Sequence, residues 1–250
     1  MPAGPFPPHA HLASRATLHA KPPPHATHEK LLLAAGEIFA QRGFKDATVR
    51  EICEQADANV AAVSYHFGDK AGLYAAVLEY AYTVASERTP VEAFFAHAHT
   101  PEARLRALVE LMFTRIVDDG RPSWHGVLMA REMVEPTPAL DRIVAQAIAP
   151  MWERVRAIVR EFLGERATED DIDMCGNSVI GQILHYKHAR PVITRIQSRS
   201  VYSREQVNAW TRHVAAFSSA GLRAARAEID ARPTSTTKRT SSAKRQGAST

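Results

Sequence analysis

The chain has 250 residues, of which 45% are hydrophobic and 23% charged, and a formal net charge of +4. That balance belongs to a globular protein and excludes fibrous and wholly disordered classes, and no run approaches the ~18 consecutive apolar residues of a membrane helix. Cys53 and Cys175 are the only cysteines, so a disulfide framework is excluded and a reducing cytoplasm is expected.

Residues 1–26 read as a disordered head, rich in Pro, His and Ala (Pro5, Pro7, Pro8, Pro22, Pro23, Pro24) and without periodic apolar positions. No charged start followed by an apolar run marks a secretory leader. Order is predicted to begin at Thr27 as an N-cap, with Leu31, Ala35, Ile38 and Phe39 on one helical face. Gly43 can end that helix with a positive φ. Thr48-Val49-Arg50-Glu51 is a T-x-x-E capping box. It opens a short helix, 49–56, with Ile52 and Cys53 inward. Asp57-Ala58-Asn59 breaks the chain, and a third helix covers 60–66. Val60, Val63 and Phe67 have the spacing that packs it down. After Gly68, Asp69 caps a long helix marked by Leu73, Val77, Tyr80, Ala81 and Val84.

The remainder predicts helices over 101–118, 122–134, 138–163, 170–188 and 204–227. Breakers stand between them at Asp119-Gly120, Pro136 with Pro138, Gly164 and Pro191. Thr168-x-x-Asp171 resembles a capping box and Ser203-x-x-Gln206 fits one. Val192, Ile193 and Ile196 form one β-branched patch, too little for a sheet. The predicted class is all-α. Residues 27–74 are predicted as one three-helix domain, 75–228 as a second helical domain, and 229–250 as a basic disordered tail.

Function is concentrated between Thr48 and Tyr74. Two short helices joined by about three residues match a helix-turn-helix. The second presents Asn59, Ala61, Ala62, Ser64, Tyr65 and His66, mostly small or polar side chains that suit a DNA major groove. The run Leu31 through Phe39, Gly43, Thr48, Ile52, Ala56, Tyr65-His66-Phe67, Lys70 and Leu73-Tyr74 resembles the DNA-binding domain of tetracycline-repressor (TetR) type transcription factors. About a dozen positions match over roughly 50 residues, and the resemblance implies that 27–74 is a three-helix helix-turn-helix DNA-binding domain and 75–228 a helical ligand-binding and dimerisation domain. Tyr65-His66-Phe67-Gly68 and Glu135-Pro136-Thr137-Pro138 look like the subgroup with a CecR-like effector domain. The sequence departs from the family pattern at Asp57 (Gly in the turn), Cys53 (Ala) and Ser64 (often Tyr).

The resemblance implies a site residue by residue. Thr48 would contact a phosphate at a helix N-terminus, and Arg50 a phosphate or a base edge. Asn59, Ala61, Ala62 and Tyr65 would lie in the major groove, beside Ser64. His66 and Lys70 would clamp the DNA backbone. For Arg50 a solvated face stays equally open. Residues 28–74 carry five Lys and Arg against seven acids, which counts against a strong field there. The tail from Ala231 on holds five cations and no acid, as a solvated segment or as an arm touching nucleic acid.

In the second domain Val207, Trp210, Val214, Phe217 and Gly221 repeat at 3, 4, 3, 4, a coiled-coil-type seam. With Ile172, Cys175, Val179 and Ile183 they are the expected dimer interface, a four-helix bundle in the family's manner; a purely intramolecular core is the alternative. Phe113, Met129, Arg131, Met133, Trp152, Gln182 and His185 are the candidate lining of a ligand cavity. His185, His188 and Cys175 lie on one helix but point apart, and no catalytic motif occurs. No cofactor, metal, catalytic residue or membrane is expected. The expected function is a cytoplasmic, homodimeric repressor released from a palindromic operator by a small-molecule effector. A metal-dependent hydrolase and a helical binding protein without DNA binding are the rival readings.

Overall fold

The structure, a computed structural model, describes residues 24–117, 124–197 and 203–233. The bulk of the head and of the basic tail lies outside these residues, as do Asp118 and Pro122, the outer ends of two predicted helices. Residues 24–26, assigned above to the head, are helical, and so are 229–231, assigned to the tail. The chain divides into two compact units, 1–74 and 75–250.

The first unit holds α1 (Pro24–Asp46), α2 (Val49–Ala56), α3 (Val60–Phe67) and the first turn of α4 (Lys70–Arg88). Thr27 is not an N-cap; it lies within α1. Leu31, Ala35, Ile38 and Phe39 are buried and form the floor of the unit. Leu31, Ile38 and Phe39 each contribute about 1.5–3 kcal/mol by leaving water, and the Ala35 methyl about 0.8 kcal/mol. Gly43 adopts φ 82° and bends the end of α1, a conformation open to glycine at little cost. Phe39, Phe44 and Tyr74 pack ring on ring, with Phe39 and Tyr74 centroids 4.9 Å apart in a T.

The second unit holds the rest of α4, then α5 (Val91–Phe95), α6 (Pro101–Val117), α7 (Trp124–Val134), α8 (Pro138–Ile143), a π-helical turn (Val144–Ile148), α9 (Ala149–Leu163), α10 (Glu169–His188), α11 (Arg190–Gln197) and α12 (Arg204–Ala231). The helix predicted over 138–163 is therefore interrupted. Pro150 has no N–H, so the carbonyl of Gln146 loses its α-helical donor. The chain widens there, and the Ala149 N–H bonds back to the Val144 carbonyl. The β-branched patch at 192–196 is helical, with Pro191 in the first turn of α11, where its missing donor costs nothing. Among the described residues there is no strand.

The core of the second unit joins α6, α9, α10 and α12 through Leu105, Leu108, Phe113, Val155, Ile158, Phe162, Ile183 and Val214. Phe113 sits against Tyr186 and Trp210 at 5.3 and 5.8 Å between centroids. At the end of α12, Arg232 makes a bidentate pair with Asp171, both contacts 2.7 Å. Asp171 also completes the Thr168 capping box of α10. Arg166 binds the Asp230 carbonyl at 2.5 Å, and the Arg232 carbonyl as well. The last turn of α12 is thereby tied to the start of α10.

Candidate nucleic-acid interface

Helix α2 is set by its caps. The Thr48 hydroxyl accepts from the Glu51 N–H, and the Glu51 carboxylate accepts from the Thr48 N–H and hydroxyl at 3.1 and 2.9 Å. Those bonds hold Glu51 below the ordinary carboxylate range, with Arg42 at 3.0 Å assisting. The helix closes at Asp57, whose φ of 51° places it in the left-handed region. Asp tolerates that region better than most residues. Asn59 then caps α3, its side-chain oxygen accepting from the Ala61 N–H at 2.9 Å. The turn between the two helices is thus built from two polar residues, Asp57 by its backbone conformation and Asn59 by its side-chain cap.

Helix α3 buries Val63 and half-buries Ala62, His66 and Phe67. His28 of α1 stacks on Phe67 at 4.7 Å and meets His66 edge-on at 5.6 Å. The opposite face is bare. Ala61 and Ser64 are exposed, Tyr65 is 82% exposed and Val60 51%. The expectation that Val60 packs down with Val63 and Phe67 is therefore corrected. Val60 is in the first turn and rotates onto the outer face with Ser64, Ala61 and Tyr65.

The remaining residues of the predicted site are placed differently. Arg50 is well exposed on α2 and pairs with Glu54 at 2.9 Å, a surface pair of small net worth. Thr48 has its hydroxyl and N–H directed to Glu51 rather than outward. Lys70 donates to the carbonyls of Lys45 and Ala47 at 3.1 and 2.8 Å and lies over the Phe44 ring. Two of its three ammonium donors close the α1–α2 connection. Lys70 is a brace for the loop that presents Thr48.

In the second unit the predicted seam turns inward. Ile172, Val179, Ile183, Val207 and Val214 are buried in the core of their own chain, with Cys175 and Trp210 packed against it. The 3, 4 spacing of α12 is satisfied by α6 and α9. Of the predicted interface Phe217, 63% exposed, and Gly221 face outward. Burial raises the Cys175 thiol, with Asp171 adding to the shift, and burial raises that of Cys53. Both are held in the unreactive form.

A cavity of 590 Å³ lies among α4, α5, α6, α8 and α9 and the π-helical turn. Glu79, Tyr82, Thr83, Ser86 and Glu87 line it from α4; Ile143, Ala147, Pro150 and Met151 form an apolar wall. Arg115 and Arg154 also border it. The Oε1 atom of Glu79 is buried without a hydrogen bond and has Arg142 at 3.8 Å. None of the seven residues predicted to line a ligand cavity borders this one. Phe113 is core; Met129 is half-buried; Arg131, Met133 and His185 are exposed. Trp152 covers Gly176, where a Cβ would meet its ring at 2.9 Å. Gln182 bonds Ser178 and Ser218. The sequence signal for the lining of this cavity was the polar stripe 79, 82, 83, 86, 87 on a helix otherwise read for its apolar face.

These features have counterparts in known proteins. Residues 31–77 match the model of bacterial regulatory proteins of the tetR family, and residues 101–224 that of the C-terminal domain of the HTH-type transcriptional dual regulator CecR. CecR of Shigella flexneri is 26% identical over 174 residues, covering 66% of this chain and 77% of that protein. The crystal structure of HlyIIR, a hemolysin II transcriptional regulator, superposes with a TM-score of 0.51 at 24% identity, over 76% of this chain and 99% of that one. FadR of Bacillus subtilis, in complex with stearoyl-CoA, superposes at 0.56 and 14% identity, over 78% and 98%. The two domain models meet the two units found in the fold, the first on the helix-turn-helix and the second on the helices around the Phe113 core. The chain belongs to the TetR family of transcriptional regulators and carries a CecR-type C-terminal domain.

Proposed function

We propose that this regulator is a cytoplasmic homodimer that represses by binding a palindromic operator and is released by a small ligand, with no enzymatic step. The carrying observation is the outer face of α3. A tyrosine 82% exposed on an eight-residue helix, fixed at its start by Asn59 and stacked from behind by His28, is a presented side chain with no role in the core. The reading set is Tyr65, Ser64, Ala61 and Val60, with Asn59, Ala62 and His66 at the edges and Arg50 from α2, while Thr48 caps the start of α2.

Pairing of two copies is assigned to the outward stripes of α10 and α12, in place of the buried seam. Met174, Ser178, Gly181 and His185 are exposed on α10, and His213, Phe217, Ala220 and Gly221 on α12. Neither stripe carries a Lys, Arg, Asp or Glu. Small residues on both helices permit close approach, and two-fold symmetry would pair the patch with itself. A two-half-site reader requires such a dimer.

The effector site is assigned to the 590 Å³ cavity, within the range of small-molecule pockets. The buried, unbonded oxygen of Glu79 and the π-helical turn in the wall both fit a functional site. The fold shared with a stearoyl-CoA-bound regulator supports a ligand in this unit. Release requires that the ligand bind the DNA-free arrangement more tightly than the DNA-bound one. The name of the Shigella relative, a dual regulator, leaves activation at some promoters within this scheme.

In-vitro selection from a random double-stranded DNA library, at near-physiological salt, tests the central claim. An enriched palindrome is expected. No enrichment by folded dimeric protein, before and after denaturation and refolding to strip ligand, would overturn it.

A further inference from the structure

We infer that α3 reads its operator through the 5-methyl groups of thymine rather than through hydrogen bonds to guanine. The inference rests on the DNA-binding reading above and specifies the chemistry of that site.

The argument begins with the exposed face of α3. Val60, Ala61, Ser64 and Tyr65 form one continuous stripe along the helix, and Val60 is 51% exposed. The helix runs Val-Ala-Ala-Val-Ser-Tyr-His-Phe and contains no Arg, Lys, Asn, Gln, Asp or Glu. Discrimination by hydrogen bonds in the major groove rests on bidentate partners: Arg or Lys on guanine, Asn or Gln on adenine. None is available on this face. Asn59, at its edge, has its side-chain oxygen committed to the Ala61 N–H, which breaks the paired donor and acceptor that adenine needs. A serine hydroxyl bonds to several base edges and separates them weakly.

What the face does offer is apolar surface. The isopropyl group of Val60 and the methyl of Ala61 are exposed beside the Tyr65 ring. In a groove, the matching apolar feature of a base pair is the thymine methyl. An exposed valine also has no packing role to explain it, since Val63 alone of the α3 side chains is fully buried. Removing it costs the fold little.

The test uses the full chain and the operator recovered by selection. Each thymine in the enriched half-site is replaced by deoxyuridine, which deletes the methyl and keeps base pairing and the O4 acceptor. Binding should weaken about fourfold for each contacted methyl lost, the worth of one buried carbon group, and the loss should repeat in the second half-site. Val60→Ala should bind the thymine and deoxyuridine operators nearly alike at the contacted position, whereas Val60→Thr, which keeps one methyl, should retain part of the preference. Circular dichroism should show both variants folded. Equal binding of the fully deoxyuridine-substituted operator would overturn the inference while leaving DNA binding intact. So would a loss confined to 7-deazaguanine substitution. Failure of the folded protein to enrich any sequence would overturn both the inference and the reading beneath it.

Discussion

Helices α3 and α12 are held in place by different means. The eight residues of α3 bury one side chain fully, Val63, and its position is fixed at the ends: Asn59 caps its start, Gly68 closes it, and His28 stacks on Phe67. Helix α12 has 28 residues and buries a stripe from Val207 to Ile229 against α6, α9 and α10. A short helix cannot bury enough apolar area to position itself, so caps and neighbouring rings do it, and most of its surface stays open for a partner. A long amphipathic helix is positioned by its stripe and has little to offer except the strip left over. Substitutions in α12 should therefore act on stability, and substitutions on the outer face of α3 on binding.

The sharpest contrast comes from the core that α12 covers. Phe113→Ala removes a fully buried ring shared by Tyr186 and Trp210. The expected loss is about 3–5 kcal/mol. All three tryptophans, Trp124, Trp152 and Trp210, lie in the second unit, so urea unfolding followed by tryptophan fluorescence reads that unit alone. A midpoint unchanged from the parent would mean the Phe113 cluster is not the core.

Tyr65→Ala is the counterpart on α3. Operator affinity should fall about thirtyfold, the size of a central aromatic contact, while stability stays within about 0.5 kcal/mol. Loss of helical signal on heating to a clearly lower temperature would place Tyr65 in the structure rather than at the interface, and the comparison would break.

The end of α12 is the place where it, too, depends on a polar tie. The Asp171 side chain is 7% exposed and receives Arg232 and Thr168. The Arg232 guanidinium, then the Thr168 N–H and hydroxyl, hold its carboxyl well below the ordinary range. A carboxyl depressed on folding contributes stability at pH values above its unfolded pKa of about 3.9, and that contribution is lost as the pH falls below it. Between pH 7 and pH 3 the melting temperature should drop, and Asp171→Asn should be less stable at pH 7 by several degrees but show a shallower acid fall. Parallel pH profiles for the two proteins would exclude the pair as the cause.

The sequence made the ends of these helices legible and left their neighbours obscure. Thr48, Asp57, Asp69 and Thr168 mark boundaries because capping acts within three or four residues, and α2 begins and ends where its residues say it must. Apolar spacing says that a face is covered without saying by what. Val207 and Val214 were expected against a second chain and are covered by α6 and α9; Val60 was expected in the core and is bare. The π-helical turn was missed because 138–163 read as one continuous helix, with Pro150 passed over in its interior. The cavity was missed because its lining is shared by six segments, and its α4 stripe is polar enough to pass for a solvated face. Lys70 matched a family position, but its two carbonyl partners, Lys45 and Ala47, are brought to it only by the fold.

The smallest predicted effect separates two roles for one residue. Thr48 has the place of a phosphate contact, yet its hydroxyl hydrogen and its N–H both go to the Glu51 carboxylate. A phosphate approaching Thr48 would meet that carboxylate, and like charges would oppose it. The hydroxyl therefore acts chiefly as a cap. Thr48→Ala should cost about 1 kcal/mol, read by hydrogen exchange of the α2 amides, and weaken operator binding by less than about threefold. Glu51→Gln keeps the size of the side chain, removes the charge and breaks the ion pair with Arg42. It should leave α2 slightly looser and the operator bound at least as tightly, with a steeper salt dependence because Arg42 becomes available to phosphate. A large loss of operator affinity in Thr48→Ala, with α2 exchange unchanged, would show instead that the hydroxyl leaves Glu51 for the DNA, and that the capping box of α2 opens when α3 is seated.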